Sequence, residues 1–165
     1  MELKYPLAPT LLFKTMKKNA GFTLIEILIA MLVLAVGLLG LAGLQATSLK
    51  NNQSAYNRSQ ATQLAYDLAD RMRANTSGIA SYTTTTPSAA VAKQNCLTTT
   101  GCSPTDMAIN DLYEWNLAVT TALPSGTGTI SISAGIYTIT VNWDDNRDGS
   151  VDTSNDPNFQ TSFKL

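Results

Sequence analysis

The chain of 165 residues contains no histidine and only two cysteines, and charged side chains make up just 14% of it. Without an imidazole there is no general base of the commonest kind and no nitrogen ligand for zinc, and two thiolates alone make a poor zinc site. No Ser or Cys sits in a nucleophile motif, and no Gly-rich phosphate loop follows a strand pattern. Carboxylate pairs such as Asp144-Asp145 exist, but adjacent residues at a strand end point to opposite faces. An enzyme is therefore not expected.

What the chain does have is one long run without charge. From Ile27 to Leu49 no Asp, Glu, Lys or Arg occurs, and about 23 such residues meet the length for crossing a bilayer as a helix. A buried helix of a soluble core is the weaker reading, because no other part of the chain has enough apolar surface to surround it. Before the run stand Lys4, Lys14, Lys17 and Lys18, opposed only by Glu2. The leader through Gly21 thus carries +3 of a formal net charge of −1, which leaves −4 for the rest. Lysines just ahead of an apolar run mark the cytoplasmic side, and the exported part is acidic. A nucleic-acid surface would need clustered Lys and Arg, so no such partner is expected.

A secretory signal peptide has a shorter apolar region that ends in a small-residue cleavage site. Here the small residue, Gly21, comes first, and cutting after it would leave the apolar helix attached. One carboxylate, Glu26, stands at the entry to the run. An ionised Glu in a membrane helix costs on the order of 2.5–3.5 kcal/mol toward the centre and persists where it has a partner or a function. A cut after Gly21 would create a partner: the new α-amino group of Phe22, four positions from Glu26, a spacing of one helical turn. The carboxylate would pair with its own terminus or with that of a neighbouring chain, and the second option sets axial register in a bundle.

The stretch "KKNAGFTLIEILIAMLVLAVGLLGLAGLQ" resembles the class III leader and N-terminal helix of type IV pilins and type II secretion pseudopilins. Gly at the cut, Phe next, Glu as the fifth residue after the cut and then an unbroken apolar stretch carry that resemblance. It implies cleavage between Gly21 and Phe22 by a membrane-embedded prepilin peptidase, N-methylation of Phe22, and an assembly role for Glu26. "MKKNAG", beginning at Met16, would by itself be a complete leader, so Met16 stands beside Met1 as a possible start. Gly37, Gly40 and Gly43 each disfavour a helix by roughly 1 kcal/mol relative to Ala in water, which makes this part soft and open to close helix approach.

Beyond Lys50 the helix is expected to continue with a changed face. Ala61, Leu64, Ala65, Leu68, Ala69 and Met72 recur at three- and four-residue steps among polar residues, and Asn75 to Gly78 favour a stop. Residues 76–103, rich in Thr, Ser and Ala, show no lasting period and read as a long surface loop. That tract holds Cys96 and Cys102. In an exported domain an isolated pair most simply forms a disulfide, and redox catalysis would favour the tighter C-x-x-C spacing. Ser103-Pro104-Thr105-Asp106 then predicts a capped second helix with an apolar face of Ala108, Leu112, Trp115, Val119 and Ala122, ended by Leu123-Pro124-Ser125-Gly126. Strands are predicted over 128–133, with Ile130 and Ile132 on one face, over 137–143, and over 159–165. "NRSQATQLAYDLADRMRAN" and the Cys, Trp helix and Leu-Pro-x-Gly order resemble PilV-type minor pilins.

The acidic tract "DDNRDGSVDTSN" has the spacing of a calcium loop through Asp144, Asn146, Asp148, Ser150 and Asp152, without the closing Glu. Its alternative is a solvated acidic hairpin loop.

The expectation is thus an α+β, pilin-like fold: a long N-terminal helix, membrane half then amphipathic half, packed on a small antiparallel sheet with a second short helix. Its parts are a leader over 1–21, a transmembrane half over 22–49, an amphipathic half over 50–77 and a periplasmic head over 78–165. The resemblance implies a minor pilin that helps to initiate a type IV pilus, partnered by other minor and major pilins, the prepilin peptidase and a pilus-tip adhesin. It would stand in the inner membrane and then in the pilus. A type II secretion pseudopilin and a monomeric membrane-anchored periplasmic binding module are the alternatives.

Overall fold

The computed structural model describes residues 21–152 and 154–165. The expectations on the leader lysines and on Met16 lie outside the described residues. In chain order there follow α1 (Leu24–Ala74), α2 (Ile79–Thr84), α3 (Pro104–Ala122), β1 (Thr127–Ser133), β2 (Ile136–Asn142) and β3 (Asn158–Lys164). The chain divides into two compact units, one through Gln45 and one from Ala46 to Leu165, and α1 contributes to both.

In the first unit α1 is helical through all three glycines, and a Cβ built at Gly37, Gly40 or Gly43 would meet nothing within 4 Å. Every side chain from Gly21 to Gln45 is exposed. The helix is long and apolar enough to cross a membrane. Lipid is the solvent that such a surface fits.

In the second unit the amphipathic stripe forms as its period predicts. Ala61, Ala65, Leu68, Ala69 and Met72 are fully buried, with Leu64 packed beside them. Opposite stand Ala108, Leu112, Trp115 and Val119 of α3, and Ile139, Val141, Trp143 and Phe163 of the sheet. Ala122, expected on the buried face of α3, is exposed: its place in the core is taken by Leu123, just past the last helical turn. Ser103 caps α3 as predicted, its side chain accepting the N–H of Asp106 with Pro104 in the first turn.

The sheet is an antiparallel meander, β1-β2-β3, with β2 in the middle. A two-residue hairpin joins Ser133 to Ile136 through Ala134 (φ 49°) and Gly135 (φ 76°), the left-handed pair that matches strand twist. Central β2 buries Ile139 and Val141, whereas on edge strand β1 Ile130 is half-buried and Ile132 exposed.

The tract read as a long surface loop is more ordered than its composition implies. It holds α2 and three single 3₁₀ turns, at Thr76–Gly78, Pro87–Ala89 and Gln94–Leu97, and it buries Tyr82 completely. Without an amphipathic period nothing local announces this. Asn75 ties its start both ways: Nδ2–H donates to the distant carbonyl of Pro104 (2.8 Å), and Oδ1 accepts locally from Gly78 N–H (3.2 Å).

Candidate processing and assembly site

At the N-terminal end of α1 the backbone N–H of Glu26 donates to the Thr23 carbonyl (3.1 Å) and to Thr23 Oγ1 (3.3 Å), and Ile27 N–H donates to the same carbonyl (3.3 Å). Thr23 is therefore the N-cap, and Glu26 occupies the third helical position. There the carboxylate faces the positive end of the helix dipole. Thr23 is not among the residues that charge and hydropathy single out. The signal for it is Thr followed three residues later by Glu, ahead of an apolar run.

Phe22 lies outside the helix and is 80% exposed. In the uncut chain it stands ahead of the first helical residue, Leu24. Among the described residues the Glu26 carboxylate has no hydrogen-bond or ion-pair partner. Phe22, Glu26, Ile27, Ala30, Met31 and Leu34 line one open, almost wholly apolar face. This surface can take a complementary helix and a cation.

In the second unit Cys96 and Cys102 are joined, with S–S 2.04 Å. Just before the bridged loop, Lys93 is tied to α3. Lys93 Nζ pairs with Asp106 (3.1 Å), the Lys93 N–H donates to Asn110 Oδ1 (2.9 Å), and Asn110 Nδ2–H donates to Glu114 (2.9 Å). The Lys93 ammonium, with the Ser103 hydroxyl, holds the Asp106 carboxyl below the usual range.

Beneath this loop lies a charged cluster. Arg71 pairs with Asp67 (3.0 Å), Asp111 (3.1 Å) and Glu114 (2.9 Å), and the Tyr82 hydroxyl donates to Asp111. Burial and that carboxylate push the Tyr82 phenol well above its ordinary value.

Of the five residues read as a calcium series, Asn146 and Ser150 both donate side-chain hydrogen bonds to Asp148 (2.9 and 2.8 Å). Asp144 spends both oxygens on its own loop, accepting N–H groups from Arg147, Asp148 (3.2 Å) and Gly149 (2.9 Å). Asp148 accepts from Ser150 N–H (2.9 Å), and Asp152 from Ser154 N–H (3.1 Å) and Asn155 N–H (2.8 Å). Asn146 Oδ1 accepts from Asp148 N–H (2.9 Å). These bonds close local turns, and among the described residues no group of three or more His, Cys, Asp or Glu is gathered to hold a metal ion. The alternation that reads as a ligand series is here a series of side-chain-capped turns.

Two family models match adjoining stretches of the chain. A prokaryotic N-terminal methylation motif covers residues 16–42, and the family described as type IV pilin Tt1218 covers residues 43–113. These matches support the type IV pilin superfamily. No curated protein and no solved structure matches the chain. The pilin-type matches take in α1, α2 and the first half of α3, whereas the sheet and the acidic tract lie beyond them. Association with other pilins and processing at the methylation motif follow from this superfamily.

Proposed function

We propose that this chain is a minor pilin of the PilV type, a structural subunit that helps to initiate a type IV pilus together with other minor pilins. One observation carries the reading. Glu26 is the sole carboxylate in the apolar half of α1, it has no partner among the described residues, and every residue around it is exposed. A carboxylate in such a place is too costly for a plain anchor and suits a subunit that meets a neighbour's cation within the membrane. In this reading a prepilin peptidase cuts between Gly21 and Phe22, Phe22 is N-methylated, and the mature chain passes from the inner membrane into the pilus with its head on the periplasmic side. The Thr-rich loop and the exposed side chains of the head form the surface offered to major pilins and to a tip adhesin.

Crosslinking in membranes followed by identification of bound chains tests this. Glu26→Ala should abolish recovery of other pilins while leaving membrane insertion intact. Recovery of secretion-system partners would instead assign the chain to the pseudopilins. Membrane insertion with no partner at all, before and after the substitution, would leave a monomeric anchored module.

A further inference from the structure

The position at which α1 begins governs the state of the peptide bond ahead of it. In lipid an apolar chain gains by continuing its helical hydrogen bonds, since unpaired amides find no water. Neither Gly21 nor Phe22 forbids a helix as proline would. Were α1 to run back one turn, the Gly21 carbonyl would accept from Ile25 N–H, the Phe22 carbonyl from Glu26 N–H, and the bond between them would be locked into the ladder. Instead the Glu26 N–H turns to the Thr23 carbonyl (3.1 Å) and hydroxyl (3.3 Å), Leu24 is the first helical residue, and Gly21 and Phe22 stay non-helical and exposed. Independently, the methylation-motif match spans this bond, over residues 16–42.

We propose that Thr23 is a positioning residue for maturation: its hydroxyl caps α1 and so keeps the Gly21–Phe22 peptide in the open form that a hydrolytic enzyme must grasp. The inference rests on the reading of the chain as a processed pilin precursor. In the step itself one water is consumed. Its oxygen joins the Gly21 carbonyl carbon as that carbon's bond to the Phe22 nitrogen breaks, giving a carboxylate on Gly21 and a protonated amine on Phe22.

The test separates capping from shape. Full-length precursor is produced in membranes with a prepilin peptidase, and the fraction cut after Gly21 is followed over time by N-terminal mass analysis. Thr23→Val keeps the shape and removes the acceptor. Thr23→Ser and Thr23→Asn keep an acceptor and change the shape. Cutting should slow about fivefold in Thr23→Val, the factor equivalent to about 1 kcal/mol of capping free energy, and stay within about twofold of the parent in the other two. Amide exchange at Ile25 in uncut chains should slow only in Thr23→Val, as the helix runs back and its N–H gains the Gly21 carbonyl. Fast cutting of Thr23→Val, or slow cutting of Thr23→Ser and Thr23→Asn, would overturn the proposal. If the unmodified chain itself is not cut after Gly21, the precursor reading fails, which is a separate result.

Discussion

The carboxamide of Asn57 donates to the carboxylate of Asp145 at 3.2 Å, across 88 residues of sequence. Asn57 is 2% exposed on α1, one turn before Ala61, so the apolar stripe ends in a polar residue. Trp143 Nε1–H donates to the same carboxylate oxygen (3.0 Å), and Gln53 Nε2–H donates to Asn57 Oδ1 (3.0 Å). Truncating Asn57 to Ala leaves Asp145 short of one donor in a half-buried site. The loss should be about 1–3 kcal/mol in denaturant melts of the Ala46–Leu165 unit, and a change below a few tenths would deny the contact any weight.

Acid should weaken this unit in a defined direction. Burial disfavours the charge of Asp145, but Ser54, Trp143, Asn57 and the Lys50 ammonium outweigh it and hold the carboxyl below its ordinary 3.8. Asp148 and Asp152 are held low as well, by donors from Ser150 and Ser154 respectively. A lowered folded value means that the stabilisation is complete above 3.8 and fades as pH falls through the folded values. Melting temperature should therefore drop below that pH, and Asp145→Asn should make the drop shallower.

Alkali acts through Tyr82 with the opposite sign. Its folded value is raised above 10.0, so its contribution is complete below that pH and is lost as pH climbs toward the folded value. Tyr82→Phe should remove about 1.5–3 kcal/mol at neutral pH, because the hydrogen bond is to a carboxylate. The same variant should show a flatter decline above pH 10 than its parent, as read from denaturant midpoints.

Gly128 on β1 lies against the ring of Trp115, and a Cβ placed there would collide with the ring. The indole is not free to tilt, since its N–H donates to the Leu64 carbonyl at 2.8 Å. Gly128→Ala should thus destabilise by about 1–3 kcal/mol and alter the near-ultraviolet signal of the tryptophans. An unchanged midpoint would mean that the strand can shift away.

The bridge between Cys96 and Cys102 closes a loop of sequence separation 6. Chain entropy assigns so short a loop about 2–3 kcal/mol. Thiol labelling of unfolded, unreduced protein should find no free thiol, and reduction should lower the denaturant midpoint correspondingly. Calcium offers a contrast in the same melts: millimolar ion and chelator should give equal midpoints. A rise with calcium that Asp148→Ala abolishes would restore an ion to the acidic tract.

The membrane half of α1, the lone carboxylate at its start, the stripe from Ala61 to Met72 and the Ser103 cap were all readable in the sequence. Each depends on period, charge or capping chemistry confined to a few neighbouring residues. The start of α1 belongs with them, since Thr23 and Glu26 are three apart, although only the bonded geometry drew attention to the pair. The alternating Tyr137, Ile139 and Val141 of β2 likewise announced a strand with one buried face. Tertiary structure decided which polar residues are buried. Tyr82 is buried because Asp111, 29 residues on, accepts its hydroxyl, and Asn57 is buried because Asp145 lies against it. The acidic tract has a ligand-like spacing, yet its carboxylates turn to their own backbone amides. Burial of an apolar residue follows from its place in a local period, whereas burial of a polar one requires a partner, and the partner's distance along the chain is fixed only by the fold.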